Sequence, residues 1–103
     1  MLEQNEEKGK PVIKARGRLE GKNVYEMHKK VKAIEDSGYE GLIILDIESV
    51  TTMDSRSLGA LINMWKMLDT DKNDLVLYRP QGIVRDLLYD TNLHRVLKIV
   101  DNV

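Results

Sequence analysis

The amino-acid sequence predicts an α/β domain, because short apolar runs typical of strands alternate with longer segments of helical periodicity. Residues 42–45, Leu-Ile-Ile-Leu, form a short run typical of a strand that is buried on both faces. After Asp54, apolar residues recur at three- and four-residue spacing, as in an amphipathic helix. Helices that connect strands produce parallel pairs through right-handed crossovers, so we expect a sheet with several parallel strands.

The first half of the chain adds a strand and a helix. Residues 1–10 are polar and acidic, which indicates either a polar tail or a weak edge strand. Residues 12–19 partly alternate between apolar and polar side chains, which predicts a strand with one solvated face. Asn23 is a plausible N-cap for the helix that follows. Apolar residues at helical spacing continue this helix until it ends near Ser37-Gly38.

The second half continues the alternation. The helix after Asp54 presents an apolar stripe made of Leu58, Leu61, Ile62, Trp65 and Leu68. Residues 75–78 predict another strand, and Pro80 with Gly82 predicts the start of a third helix. Residues 93–100 provide a last helical turn or strand.

Length and composition exclude several classes of protein. With 103 residues the chain has room for one domain and not for a two-domain enzyme. A formal charge of −1 gives no general attraction to nucleic acid or to an anionic membrane. No apolar run approaches the roughly 18–20 residues of a membrane span, and the start lacks the order of a secretory signal. We therefore expect a cytoplasmic protein that neither inserts into a membrane nor binds nucleic acid.

The residue types that support catalysis are sparse. The chain has no cysteine, and His28 and His94 lie in unrelated segments without a zinc-binding spacing. It also lacks a glycine-rich phosphate loop and a Gly-x-Ser-x-Gly nucleophile motif. We predict that the protein is not an enzyme and has neither a metal site nor a cofactor.

The segment Asp54-Ser55-Arg56-Ser57 is the most informative motif, because it lies at a predicted helix start. Such a position has unpaired backbone N–H groups and a partial positive charge. Capping by Asp54 or Ser55 is the ordinary explanation, since both residue types are preferred caps. Phosphorylation of Ser55 is the functional alternative, because a phosphate adds about −1.5 to −2 charges beside those N–H groups. Asp54 would repel it, so the effect should fall on a docked partner.

Asp46 raises a second possibility, since an aspartate after an apolar central strand is how a response-regulator receiver presents its phosphorylation site. A receiver also needs an acidic pair at the end of its first strand to hold Mg²⁺. Residues 12–19 contain no acidic residue. We therefore interpret Asp46 as a strand-end residue that bonds nearby backbone.

Several motifs together resemble the STAS family, named for sulphate transporters and anti-sigma-factor antagonists. They are Gly-Arg-Leu-Glu at 17–20, Leu-Ile-Ile-Leu-Asp-Ile-Glu-Ser-Val at 42–50, Met-Asp-Ser-Arg-Ser-Leu-Gly-Ala-Leu at 53–61 and Leu-Val-Leu-Tyr at 75–78. The third is the most specific, because the family pattern there reads Asp-Ser-Ser/Ala-Gly-Leu-Gly. The resemblance covers residues 11–103. It implies a four- or five-stranded mixed sheet with helices chiefly on one side.

The resemblance also implies a site. Ser55 matches the serine that a partner kinase, itself the anti-sigma factor, phosphorylates. Glu20 matches a position that usually carries Asp, in a loop near that serine. Two residues depart from the family pattern: Ser57 replaces the usual Gly, and Arg56 replaces a small residue. Ser57 is therefore an alternative site of modification.

A partner-binding surface is expected around this serine. At 100° per residue, Arg56, Ala60, Asn63 and Met67 lie on the side of the helix that faces away from the apolar stripe. We expect Met67→Glu to weaken partner binding with little effect on thermal stability. The full predicted surface comprises Glu20, Asp54, Arg56, Ser57, Gly59, Ala60, Asn63 and Met67.

The resemblance implies an anti-sigma-factor antagonist. The unphosphorylated protein would bind an anti-sigma serine kinase, phosphorylation of Ser55 would release it, and a phosphatase acting on phospho-Ser55 would reset the cycle. Two alternatives remain: an accessory or regulatory subunit of a membrane transporter, and a receiver-like domain phosphorylated at Asp46.

Overall fold

The fold is built around the central strand of one sheet. A computed structural model describes residues 2–102 of the chain. The strands in chain order are β1 (Leu2–Glu7), β2 (Lys10–Leu19), β3 (Gly41–Met53), β4 (Asn73–Tyr78) and β5 (Lys98–Val100). They form one sheet in that same order, with β1 antiparallel to β2 and the other neighbours parallel. The predicted α/β class and mixed sheet are therefore confirmed. Residues 2–7, within the segment expected to be a tail or edge strand, form an edge strand, and Met1 lies outside the described residues.

Three α-helices cover one face of this sheet. They are α1 (Lys22–Asp36), α2 (Ser55–Met67) and α3 (Gly82–Asp90), and a 3₁₀ turn, Leu93–Arg95, precedes β5. The main core lies between the helices and the sheet, where Met27, Leu61 and Leu88 pack with strand residues such as Leu45. The opposite face carries a smaller cluster that holds no buried helix residue. Helices on one side of the sheet are thus confirmed.

The length of β3 differs from the prediction. The apolar run was expected to end at Asp46, but the strand continues to Met53. The β-branched residues of its second half favour extended backbone, and two register shifts against β2 accommodate its extra residues. Asp46 is consequently a buried mid-strand residue, 9% exposed, whose carboxylate accepts a hydrogen bond from the Glu48 N–H at 3.1 Å. The predicted bond to nearby backbone is present, but the predicted position at a strand end is wrong.

The start of α1 also differs from the prediction. Gly21, and not Asn23, precedes the first helical residue. Gly21 has φ 52° and ψ −120°, a conformation that side chains disfavour, so this turn depends on glycine. The side-chain amide of Asn23 instead donates to the Arg18 carbonyl at 2.9 Å. It therefore fixes the end of β2 to the start of α1.

The sheet topology brings two loops together at its carboxyl edge. Leu19, the last residue of β2, lies in register with Met53, the last residue of β3. The segment after each strand opens a helix, so Glu20-Gly21 and Asp54-Ser55 are neighbours at this edge. No helix within residues 2–102 is long and apolar enough to cross a membrane.

Candidate functional site

Asp54 caps the amino terminus of α2. Its backbone is extended, and its carboxylate accepts hydrogen bonds from the Ser57 N–H at 2.8 Å and from the Ser57 hydroxyl at 2.7 Å. These bonds lower the pKa of Asp54, the hydroxyl bond contributing most, and the nearby Arg56 charge adds to the effect. Asp54 is therefore a carboxylate at neutral pH. The sequence predicted helix capping by Asp54 or Ser55, and Asp54 is the residue that caps α2.

Ser57 connects the first turn of α2 to the end of β2. Its side chain is 1% exposed, and its hydroxyl lies within hydrogen-bonding reach of both the Leu19 carbonyl and the Asp54 carboxylate. A hydroxyl carries one proton and donates to one acceptor at a time, so the two oxygens share this donor. Ser57 was predicted to contact a partner or to be an alternative modification site. Its burial contradicts both roles for the side chain.

Ser55 has the opposite environment. It is the first helical residue of α2, its side chain is exposed, and its hydroxyl forms no hydrogen bond with any of residues 2–102. Because Asp54 already caps the helix, the hydroxyl of Ser55 is not needed to satisfy the helix terminus. The start of α2 thus carries one serine that is buried and bonded and another that is accessible.

Gly59 lies one helical turn after Ser55, on the same exposed side of α2. Apart from its chain neighbours and the backbone of its own helix, a Cβ atom placed on Gly59 would meet no described atom within 4 Å. Glycine within a helix costs about 0.5–1 kcal/mol relative to alanine. The packing of the domain does not require this glycine, and its absence of a side chain leaves the approach to Ser55 open.

The remaining predicted residues divide into two groups. Glu20 is exposed next to this site and lies 3.9 Å from Arg18 in a weak surface ion pair. Arg56, Ala60 and Asn63 share one side of α2 and line a groove of about 300 Å³ against α1. The structure thus places these four residues at or beside the Ser55 end of the molecule.

Met67 is the exception. It is half-buried and packs against the main core, and it lines a separate depression with Tyr39 and Asn73. The buried side of α2 includes Ser57 and Met64, whereas the predicted stripe residues Ile62 and Trp65 are only half-buried. The core-facing side is therefore rotated toward Met67. The prediction that Met67 lies on an open face is wrong, and Met67→Glu would place a charge against the core.

Two residues of α1 were missed as site residues. Tyr25 and His28 form the other wall of the groove, and Tyr25 is 62% exposed. The sequence signal that could have identified this wall is Tyr25, an aromatic residue that lies away from the apolar stripe of α1. Their significance depends on the packing of α1 beside α2, which sequence periodicity does not specify.

Residues 2–103 match the family model described as STAS domain. A Thermotoga maritima protein described as a candidate anti-sigma factor antagonist is 36% identical over 62 residues, which are 60% of this chain and 52% of the relative. The chain thus spans about half the length of that relative.

Solved structures are similar over nearly the whole chain. The solution structure of the Thermotoga maritima protein TM1081 has a TM-score of 0.82 at 27% identity, covering 99% of this chain and 82% of that one. The phosphorylated form of the Bacillus cell-fate determinant SpoIIAA has a TM-score of 0.71 at 18% identity, covering 99% and 93%. The likeness to SpoIIAA shows a shared fold.

The buried hydroxyl of Ser57 should contribute to stability. We expect Ser57→Ala to lower the free energy of unfolding by about 1–3 kcal/mol, because the buried Leu19 carbonyl loses its donor. The matched control is Ser55→Ala, which removes an unbonded exposed hydroxyl and should change the value by less than about 0.5 kcal/mol. Chemical denaturation of both variants measures the difference. Equal stability of the two variants would contradict the assigned role of Ser57.

Proposed function

Because the chain belongs to the STAS domain family, we propose that it is an anti-sigma-factor antagonist whose binding to an anti-sigma serine kinase is switched off by phosphorylation of Ser55. The unphosphorylated protein sequesters the kinase and thereby frees a sigma factor. A phosphatase acting on phospho-Ser55 restores the binding form. In this proposal the chain is a regulatory substrate in the cytoplasm and performs no catalysis of its own.

The accessibility of Ser55 is the observation that supports this proposal most strongly. Its hydroxyl is exposed and has no hydrogen-bond partner within residues 2–102, although it lies beside a capped and anchored helix start. A kinase reaches such a hydroxyl without unfolding the helix. Ser57, two residues later, would first have to leave its buried position.

The proposed modification transfers the γ-phosphoryl group of ATP to the Ser55 oxygen. A bond forms between that oxygen and phosphorus, and the bond from phosphorus to the β-phosphate oxygen breaks. The hydroxyl proton passes to a base of the kinase, which also supplies ATP and Mg²⁺. Hydrolysis of the resulting phosphoester by the phosphatase returns the hydroxyl and releases inorganic phosphate.

Phosphorylation of Ser55 would act mainly on the docked partner. The added phosphate carries about −1.5 to −2 charges next to the Asp54 carboxylate. The Asp54 carboxylate already occupies the capping position, where it accepts a hydrogen bond from the Ser57 N–H. Its negative charge repels the phosphate from the helix start. The phosphate therefore remains on the outside, where its charge and bulk oppose the return of the partner.

The proposed partner footprint surrounds Ser55 and omits the buried Ser57 and the half-buried Met67. Its members are Glu20, Asp54, Arg56, Gly59, Ala60 and Asn63. The first two lie in the adjoining loops at the carboxyl edge of the sheet, and the others lie on α2. Gly59 supports this footprint, because the fold gains nothing evident from a glycine there.

A charge at position 55 should imitate the modified state. We expect Ser55→Asp to weaken binding to the anti-sigma kinase by at least about tenfold, because like charges and lost contacts oppose docking. Ser55→Ala should bind as the unmodified protein does and should not be phosphorylated. Isothermal titration calorimetry with the purified kinase from the same organism measures both affinities. Binding of Ser55→Asp at wild-type strength would contradict the switch.

Substitution of Gly59 should change the stability of the domain and its affinity for the kinase in opposite directions. We expect Gly59→Ala to stabilise the domain by about 0.5–1 kcal/mol, since the new methyl group enters open space within a helix. The same methyl group should weaken kinase binding by obstructing close approach to Ser55. Lys66→Ala, an exposed position in the last turn of α2, is the control for binding. Denaturation and calorimetry together provide the two readouts, and unchanged affinity of Gly59→Ala would remove Gly59 from the footprint.

A further inference from the structure

Arg56 differs from most arginines of the chain in having no described carboxylate at ion-pair distance, although its charge acts on the nearby Asp54 carboxylate. Ion pairs link Arg16, Arg18, Arg79 and Arg85 to acidic side chains at 3.4–3.9 Å. Within residues 2–102, neither Arg56 nor Arg95 has a carboxylate at ion-pair distance. Of these two, Arg56 lines the groove between α1 and α2, and Arg95 is not among the described residues that line it.

The groove between α1 and α2 has a polar side and an apolar floor. Arg56 and Asn63 line it from α2, and neither side chain forms a hydrogen bond with another described residue. Gly21, just before α1, Val24 of α1 and Ala60 of α2 contribute small or apolar surface. The groove has a volume of about 300 Å³, which is enough for one or two amino-acid side chains.

Among the described residues that line this groove, Arg56 is the one lysine, arginine, aspartate or glutamate. No aspartate or glutamate is among its lining residues in the described chain. The Lys29 ammonium lies 5.3 Å from the centre of the Tyr25 ring, so a second cation lies at the wall that Tyr25 forms. The imidazole of His28 offers a further polar group on the α1 wall. A ligand that carries a negative charge is therefore complementary to this surface.

Tyr25 supplies the apolar part of the recognition surface. Its side chain is 62% exposed on the groove wall, although aromatic residues usually bury most of their area. Tyrosine and arginine, with tryptophan, are enriched among the energetically dominant contacts of protein interfaces. The combination fits a peptide segment that presents an apolar side chain next to an acidic one.

We propose that the α1–α2 groove is the docking site for an acidic segment of a partner protein. A carboxylate of that segment pairs with the Arg56 guanidinium, which binds carboxylates through two parallel hydrogen bonds, and the Asn63 amide donates a further bond. An adjacent apolar side chain packs on Tyr25 and the groove floor. This inference deepens the proposed function, on which it rests for the identity of the partner, by naming the chemistry that Arg56 selects.

A peptide titration tests the groove without the kinase. The full-length, isotope-labelled protein is titrated with acetyl-Leu-Glu-Leu-Glu-amide and with its neutral twin, acetyl-Leu-Gln-Leu-Gln-amide, and NMR follows the signals of residues around the groove. We expect the acidic peptide to shift the signals of Tyr25, Arg56 and Asn63 and to bind at least about tenfold more tightly than the neutral twin. Arg56→Gln should remove this preference, whereas Arg95→Gln, the matched unpaired arginine, should retain it.

Each other outcome contradicts the inference. Equal binding of the two peptides would show a merely apolar surface, and equal shifts with inorganic phosphate would show a general anion site. The absence of any shift at the groove would remove the docking site altogether. None of these results affects the Ser55 switch, which is tested separately by the kinase affinity of Ser55→Asp and by the position of phosphate on the protein. The two proposals can therefore fail separately.

Discussion

The buried hydroxyl of Ser57 is the contact on which the arrangement of the site depends. It joins the first turn of α2 to the last carbonyl of β2, at the point where β2 and β3 end side by side. The same residue gives its backbone N–H to Asp54, which caps the helix. One buried serine thus fixes the relative positions of two loops and a helix terminus. An isolated helix start would fray, whereas this one is held to the sheet by tertiary contacts.

That constraint allows neighbouring residues to have different tasks. Asp54 satisfies the helix terminus and Ser57 anchors it, so Ser55 needs to do neither and keeps an accessible hydroxyl. Gly59 keeps the next turn open at a cost to helix stability. On this account the rigid part of the site positions the serine, and the partner detects its chemical state. In the proposed docking mode, Arg56 on the adjoining groove contributes to the choice of partner, and no ion pair within residues 2–102 ties it to the fold.

Local sequence signals predicted the part of the molecule that depends on local physics. The alternation of elements, the helix after Asp54 and the cap itself all follow from spacing and residue type. The second half of β3 was missed because its polar residues are accommodated by register shifts against β2, which are tertiary features. Met67 was assigned to an open surface because helical periodicity alone placed the buried side of α2 about Ile62 and Trp65. Ser57 was assigned to the site from its place in the family motif, which does not show that its hydroxyl is buried against the end of β2. The groove was missed because it exists only when α1 and α2 lie together.

The most direct test of the central claim is the position of phosphate on the protein isolated from its own cells. Intact-mass measurement followed by fragment sequencing distinguishes Ser55 from Ser57, which serves as an internal control in the same peptide. We expect one added phosphate, located on Ser55, with Ser57 unmodified because its hydroxyl is buried. Phosphate on Ser57, or an unmodified Ser55 under all growth conditions, would contradict it.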